Sequence, residues 1–313
     1  MFLLIDMKKF LKYNLLFFTP IIAFLVILEV LTGIIPNSYS YKYDYVKTHG
    51  QNIQAVAIGH SQLYDGFKPE SFYLPAFNLC NSAQSFVDNY YLLRELLPFM
   101  PSLKMVIMPI GYMDVGIVGY DSALTDRCCY YHKYMNIDYD GHIPLKYRLE
   151  CLDPLRACDK VNSYYHKHQD IVGCDSMGQR NTHYLCNREH SLGYENVLDG
   201  YTLESHDRNQ FCIKDEHYLI MTIKMLAKKK ISLVLVSPPY YWDCFNKKNK
   251  EQQQFFQDYT ANLPLHHPVF YFNFQEDTLY TDDDFYNETH LSEFGAEKFT
   301  KALNDSIQSL MIN

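Results

Sequence analysis

The stretch Ile53-Gln54-Ala55-Val56-Ala57-Ile58-Gly59-His60-Ser61-Gln62 decides the fold of this chain. Up to Gly59 it is apolar except for Gln54, without the polar–apolar alternation of a strand with one wet face. A strand buried on both faces reads this way. Gly59 closes it, and a polar turn carrying Ser61 follows. Similar short apolar runs recur at 76–79, Lys104–Ile110, Ile231–Ser237 and Pro268–Phe274. Between them lie helical patterns. Residues 85–100 carry Phe86, Tyr90, Leu93, Leu96 and Leu97 at helical spacing and end at Pro98 and Pro101. Residues 216–230 and 247–261 also read as helices, and Ser292–Met311 as a last one with Ser292 as N-cap. Apolar strands alternating with helices predict an α/β domain whose parallel sheet is covered on both faces. Ligands of such sheets bind at the carboxyl ends of the strands, so the segments just after them carry the expected site.

The N-terminal region predicts a membrane anchor. Residues 15–35 form a near-continuous apolar run long enough for a bilayer. Lys8, Lys9 and Lys12 precede it, which favours residues 1–14 on the cytoplasmic side and residues 40–313 outside. The following Pro36-Asn37-Ser38-Tyr39 fits a signal-peptide cleavage site poorly. Glu29 is costly inside such a span and is expected either to face a partner helix or to snorkel to the outer interface.

Of the 313 residues 48% are hydrophobic, enough for a sizeable core, and the formal net charge of −8 without a basic stripe argues against nucleic acid as a partner. The regular pattern fails over about 116–215, a Tyr-, His-, Cys- and Asp-rich stretch too long for an ordinary loop. It reads as an insertion, either a lid or substrate platform or a structural excursion. The nine cysteines include Cys151/Cys158 and Cys174/Cys186, which sequence proximity alone makes candidate pairs. Neither the cysteines nor His166-Lys167-His168 show zinc-ligand spacing, and no metal or cofactor is expected.

Two residues at the expected ligand edge carry candidate chemistry. Ser61, on a strand-to-helix turn, can expose its hydroxyl while its own backbone N–H points the same way. His290, in Asn287-Glu288-Thr289-His290-Leu291-Ser292, precedes the last helix and can take the serine proton. Together Gly59-His60-Ser61-Gln62-Leu63 and Asn287-Glu288-Thr289-His290-Leu291 resemble the first and last blocks of the SGNH, or GDSL-like, hydrolase superfamily. The resemblance runs from about residue 53 to 310, with 116–215 unmatched in detail. It implies a flavodoxin-like parallel sheet, Ser61 as nucleophile, His290 as base and Asn287 at the position of the family's Asp. His60 stands where the family commonly has Asp. Oxyanion donors would be the backbone N–H of Ser61 and one from Asn81 or Ser82, although the usual Gly is missing there. The third block reads Gly111-Tyr112-Met113-Asp114, placing Met113, whose thioether cannot donate, where the family's Asn amide stands. Either a carboxylate from Asp282, Asp283, Asp284 or Glu288 would replace the missing acid, or a backbone carbonyl would orient the ring and leave a Ser–His dyad. Asp65, after Ser61, reads as a turn residue or a substrate contact. Tyr112, Asp114 and Tyr240 are candidate substrate contacts, and Gln84 and Asn89 candidate lining residues.

The anchor and block order also resemble bacterial cell-envelope members of that superfamily, among them polysaccharide O-acetyltransferase-like and D-alanyl transfer proteins. The expected function is therefore a single-pass enzyme of the bacterial cytoplasmic membrane. It would act as an esterase or O-acyltransferase on an envelope or capsular glycan, with a membrane protein as possible acyl donor. The competing expectation is a catalytically impaired glycan-binding or scaffold protein on the same fold.

Overall fold

The computed structural model describes residues 2–117, 127–169, 171–193, 202–203, 210–242, 244, 249–263 and 269–312. The expected helix start at 247–248, the strand start at Pro268 and several parts of 116–215 lie outside these.

Five parallel strands make the central sheet: β1 (Ala55–Ala57), β2 (Ala76–Asn78), β3 (Met105–Pro109), and two later ones. Two short strands outside it, β4 (Val115–Ile117) and β5 (Phe211–Ile213), pair antiparallel. The sheet is completed by β6 (Ser232–Ser237) and β7 (Val269–Asn273), and its order is β2-β1-β3-β6-β7. All five strands coincide with the apolar runs read from sequence. Their burial explains the lack of alternation: Ala55, Val56, Ala57 and Leu233 to Val236 are all fully buried. The order reverses at β1, from which the chain goes first to β2 and then back to β3. Between the carboxyl ends of β1 and β3 this leaves the crevice where open α/β sheets bind ligands.

The helices follow in chain order. Before β1 come α1 (Phe2–Ile34) and α2 (Ser38–His49). Then follow α3 (Ser61–Gly66), α4 (Phe86–Leu96), α5 (Cys128–Met135), α6 (Pro154–Val161), α7 (Glu216–Lys228) and α8 (Lys250–Ala261). A hairpin of β8 (Phe285–Asn287) and β9 (His290–Leu291) leads into α9 (Glu293–Ile312). Several helices start at side-chain caps. Ser85 and Asp88 form a reciprocal capping box on α4, and Ser292 Oγ accepts the Gly295 N–H at the head of α9.

Among the described residues the chain groups into two compact units, 1–41 with 124–172 and 42–123 with 173–313. The second holds the sheet. In the first, Met7–Ile34 of α1 is long and apolar enough to cross a membrane. Glu29 departs from expectation, because its carboxylate is satisfied within the chain. It accepts from Lys133 Nζ at 2.5 Å and from the Cys151 N–H at 2.9 Å. Lys133 also reaches Glu150 at 3.0 Å, and Lys160 reaches Glu150 at 2.8 Å. Glu29 thus closes an intrachain ion network. The cysteines also differ from expectation: no disulfide joins Cys151 to Cys158 or Cys174 to Cys186. One member of each candidate pair is buried and the other exposed.

Candidate active site

Gly59 sets the geometry at the end of β1. Its φ of +145° belongs to the region that favours glycine, and an added Cβ would lie 2.3 Å from the Pro109 ring of β3. The glycine carbonyl accepts the Asn81 N–H at 3.1 Å, tying the segment after β2 to the turn. His60 then caps α3, its Nδ1 accepting the Gln62 N–H at 3.4 Å. Ser61 is the first helical residue, where a backbone N–H has no intrahelical acceptor and is open to a developing negative charge.

His290 arrives from the β8–β9 hairpin, in which Asn287 pairs with His290. Asn287 Oδ1 accepts the backbone N–H groups of Thr289 at 3.1 Å and His290 at 3.0 Å. Two backbone donors fix that atom as the amide oxygen. The same oxygen lies 2.9 Å from His290 Nδ1, which must therefore carry the proton. Nε2 is left as a lone pair, and it meets Ser61 Oγ at 2.7 Å. Ser61, His290 and Asn287, all singled out from the sequence, are thus hydrogen-bonded in series, with an amide where an acid would supply charge.

None of the carboxylates expected to replace that acid reaches the ring. Asp282 and Asp283 are exposed. Asp284 is bound to Thr281 and Lys298, and Glu288 accepts the Gly193 N–H at 2.6 Å. The carboxylate that lies beside the ring is Asp65, four residues after Ser61 on the same face of α3. Its side chain is 1% exposed, with Oδ2 3.8 Å from His290 Nε2. Arg180 Nε lies 3.2 Å and His183 Nδ1 3.3 Å from Oδ1. Burial pushes the Asp65 carboxyl up, but His183, Arg180 and His290 outweigh it and hold it below its usual value. Burial also lowers His290, to about 4, against the pull of Asp65. Arg180 additionally donates to Ser82 Oγ, and the His183 ring stacks on Tyr286 at 4.1 Å. Asp65, His183 and His290 each bring a ligand atom within 4.8 Å of the others, a set able to hold a cation. The Arg180 guanidinium already supplies positive charge to that carboxylate.

A cleft of about 180 Å³ opens beside Ser61, lined by His60, Gln84, Met113, Asp114 and Lys214 among others. Asp114 lies on it, with one oxygen accepting the Gly111 N–H at 2.7 Å and standing 3.6 Å from His60 Nε2. Gln84 is tied to the buried Asn89 at 2.7 Å. Tyr112 and Tyr240, expected as substrate contacts, are 1% and 4% exposed and pack together in a core cluster with Cys244. Tyr240 also edges a separate cleft of about 420 Å³ with Trp242 and Gln275. Asn81 corrects the sequence expectation, because its N–H is already engaged by Gly59. Ser82 remains the candidate second donor. Sequence reasoning missed Arg180 and His183, which no motif marks.

Neutral His290 is the form able to accept the Ser61 proton, so activity depending on it should fall only as pH drops through the lowered value. In the profile of kcat/KM the acid limb is expected near pH 4, well below the ~6.5 of an ordinary imidazole. A limb at the ordinary position would contradict this reading of the ring's environment.

No protein-family model matches the chain, and no curated protein does. Among solved structures, the chain is similar to one described as "a putative platelet activating factor from Streptococcus pneumonia", at TM-score 0.38 and 13% identity. That match covers 96% of this chain and 98% of the other. A likeness at this level carries no argument about activity.

Proposed function

We propose that this protein is a membrane-anchored serine acyl-ester enzyme of SGNH type that works through an acyl-Ser61 intermediate. The observation that carries the reading is the 2.7 Å contact between Ser61 Oγ and a tautomerically defined His290 Nε2. The sheet order supports the fold assignment, since it follows the flavodoxin-like sequence of strands. In the reaction His290 takes the Ser61 proton as Oγ attacks the ester carbonyl. The Ser61 N–H meets the resulting oxyanion. Collapse of the tetrahedral species releases the alcohol, which takes its proton from His290. Water or a glycan hydroxyl then attacks the acyl-serine, giving up its proton to His290, and Ser61 is regenerated.

Asp65 faces the imidazolium that forms transiently. A charge pair near 4 Å is worth about 4 kcal/mol at an effective dielectric constant of ~20, and Arg180 reduces that figure here. Asn287 therefore orients the ring while Asp65 contributes the charge. The apolar α1 and the basic residues before it support an anchor in a bacterial cytoplasmic membrane with the enzyme outside, acting on an envelope or capsular glycan. Which nucleophile resolves the acyl-enzyme decides between esterase and O-acyltransferase. A membrane acyl-donor protein belongs to the transferase form of the proposal.

One observation favours a second reading, a glycan-binding or scaffold protein with weak or no catalysis. Met113 lines the cleft where the resembling family has an amide donor, and the Asn81 N–H is engaged elsewhere. Loss of one such donor costs roughly 3–4 kcal/mol in other acyl-transfer sites. Acid quenching during turnover of p-nitrophenyl acetate separates the two. The enzyme reading expects an acetyl group on the peptide containing Ser61, absent from Ser61→Ala. A folded protein that never acquires the adduct favours the binder.

A further inference from the structure

The segment 146–156 sits beside α1 in the first compact unit. Leu25 and Leu28 of α1 pack with Cys151, Ala157 and Val161, and the Cys151 N–H reaches Glu29. A hydrocarbon layer of about 30 Å takes roughly 20 helical residues. Counted from Lys12, the last basic residue before the span, it ends near Thr32. The segment packed on residues 25–29 therefore lies about 5–10 Å inside the outer edge of that layer, at the boundary between headgroups and acyl chains. Leu149, Leu152 and Leu155 on this segment are 44%, 46% and 80% exposed. Three leucines so placed are costly in water and favourable at a membrane interface.

Charge points the same way. Lys146, Arg148 and Arg156 are exposed around the leucines. Of the nearby acids, Glu150 is paired with Lys133 and Lys160, while Asp153, on the groove wall, accepts the Arg156 N–H and keeps its charge, so three cations outnumber one exposed carboxylate. A groove of about 380 Å³ runs between Tyr130, Tyr147, Leu155 and Arg156. Over its aromatic rings lie cations, Lys146 Nζ 4.5 Å from the Tyr147 centroid and the Arg156 guanidinium 5.1 Å from that of Tyr130. An apolar body with cations at its rim matches a lipid whose phosphate stays at the surface while its chains go inward.

We propose that 146–156 is a phospholipid-binding surface. Leu149, Leu152 and Leu155 enter the acyl boundary of the outer leaflet, and the groove between Lys146 and Arg156 seats an anionic glycerophospholipid headgroup. The inference rests on the anchor reading of α1 and is independent of the esterase reading.

The chain's single tryptophan, Trp242, makes the test direct. In a Trp242→Phe background of the full chain in lipid nanodiscs, Leu152→Trp, Leu155→Trp and, in α1, Ile27→Trp each place one fluorophore. Brominated phospholipid is expected to remove most of the emission at 152 and 155, and aqueous acrylamide little of it. Brominated phosphatidylglycerol should quench more than brominated phosphatidylcholine, and Lys146→Gln with Arg156→Gln should erase that difference. Quenching at 27 with only acrylamide quenching at 152 and 155 overturns the surface while leaving the anchor standing. Acrylamide quenching at 27 overturns the anchor as well. Equal quenching by the two lipids overturns the anionic headgroup.

Discussion

Replacing His290 with Ala is expected to lower the acylation rate by about 10⁴- to 10⁶-fold, with little change in the binding of an ester substrate. The neutral imidazole is the group in contact with Ser61 Oγ, at 2.7 Å. Without it the hydroxyl must shed its proton to water at a pKa far above the working pH. Stopped-flow measurement of the first turnover on an activated ester checks the size of the loss. Circular dichroism checks that the fold survives, which is expected because the imidazole belongs to the β8–β9 hairpin and not to the central sheet. Asp65→Asn supplies the informative comparison. It leaves Ser61 and His290 in place but removes the carboxylate 3.8 Å from Nε2. The expected result is a fall in kcat of ~10- to 100-fold, with KM nearly unchanged and the acid limb displaced further downward, because Asp65 favours the protonated ring. A purely structural Asp65 would change stability without moving the limb.

The largest expected effect on stability comes from Gly59→Ala. A methyl group there would stand 2.3 Å from the Cδ of Pro109 and 2.5 Å from its Cγ, and the proline ring has no rotamer by which to yield. The backbone conformation is itself unfavourable for alanine. β1 and β3 are neighbouring strands whose facing residues are fully buried, so the clash can be relieved only by separating strands at the middle of the sheet. A loss of about 4 kcal/mol or more is expected, at the upper end for single substitutions. It should appear as aggregation on expression or a large fall in the urea midpoint of the detergent-solubilised protein. Wild-type-like stability would show that the turn before Ser61 is far more plastic than its packing implies.

Those two positions also show how much was legible beforehand. The strands announced themselves because burial on both faces forbids polar residues, and the runs at 53–59, 104–110 and 231–237 have almost none. Ser61, His290 and Asn287 were readable because each lies on a short local motif tied to a strand end. From the sequence Asp65 reads as a turn residue or a substrate contact. Its one available signal was the four-residue spacing from Ser61, which places both on the same helical face. Arg180 and His183 had no signal at all, since their place beside Asp65 is set by the return of an irregular segment rather than by any periodicity. Tyr112 and Tyr240 show a related limit: aromatic residues after strands suit both packing and stacking, and both rings share one core cluster while Tyr240 also edges a cleft. The Lys133 partner of Glu29 had no sequence signal, because it is over a hundred residues away in the chain.

The most direct test of the central claim is covalent labelling by a fluorophosphonate, read by intact-protein and peptide mass spectrometry on the full chain in detergent. The probe needs a serine whose proton can be taken by a neighbouring base and a phosphoryl oxygen that a backbone N–H can receive. Both are present at Ser61. The account predicts a single adduct on the peptide containing Ser61, lost in Ser61→Ala and strongly slowed in His290→Ala. Well-folded protein that stays unlabelled, or an adduct on another residue that persists in Ser61→Ala, would contradict it.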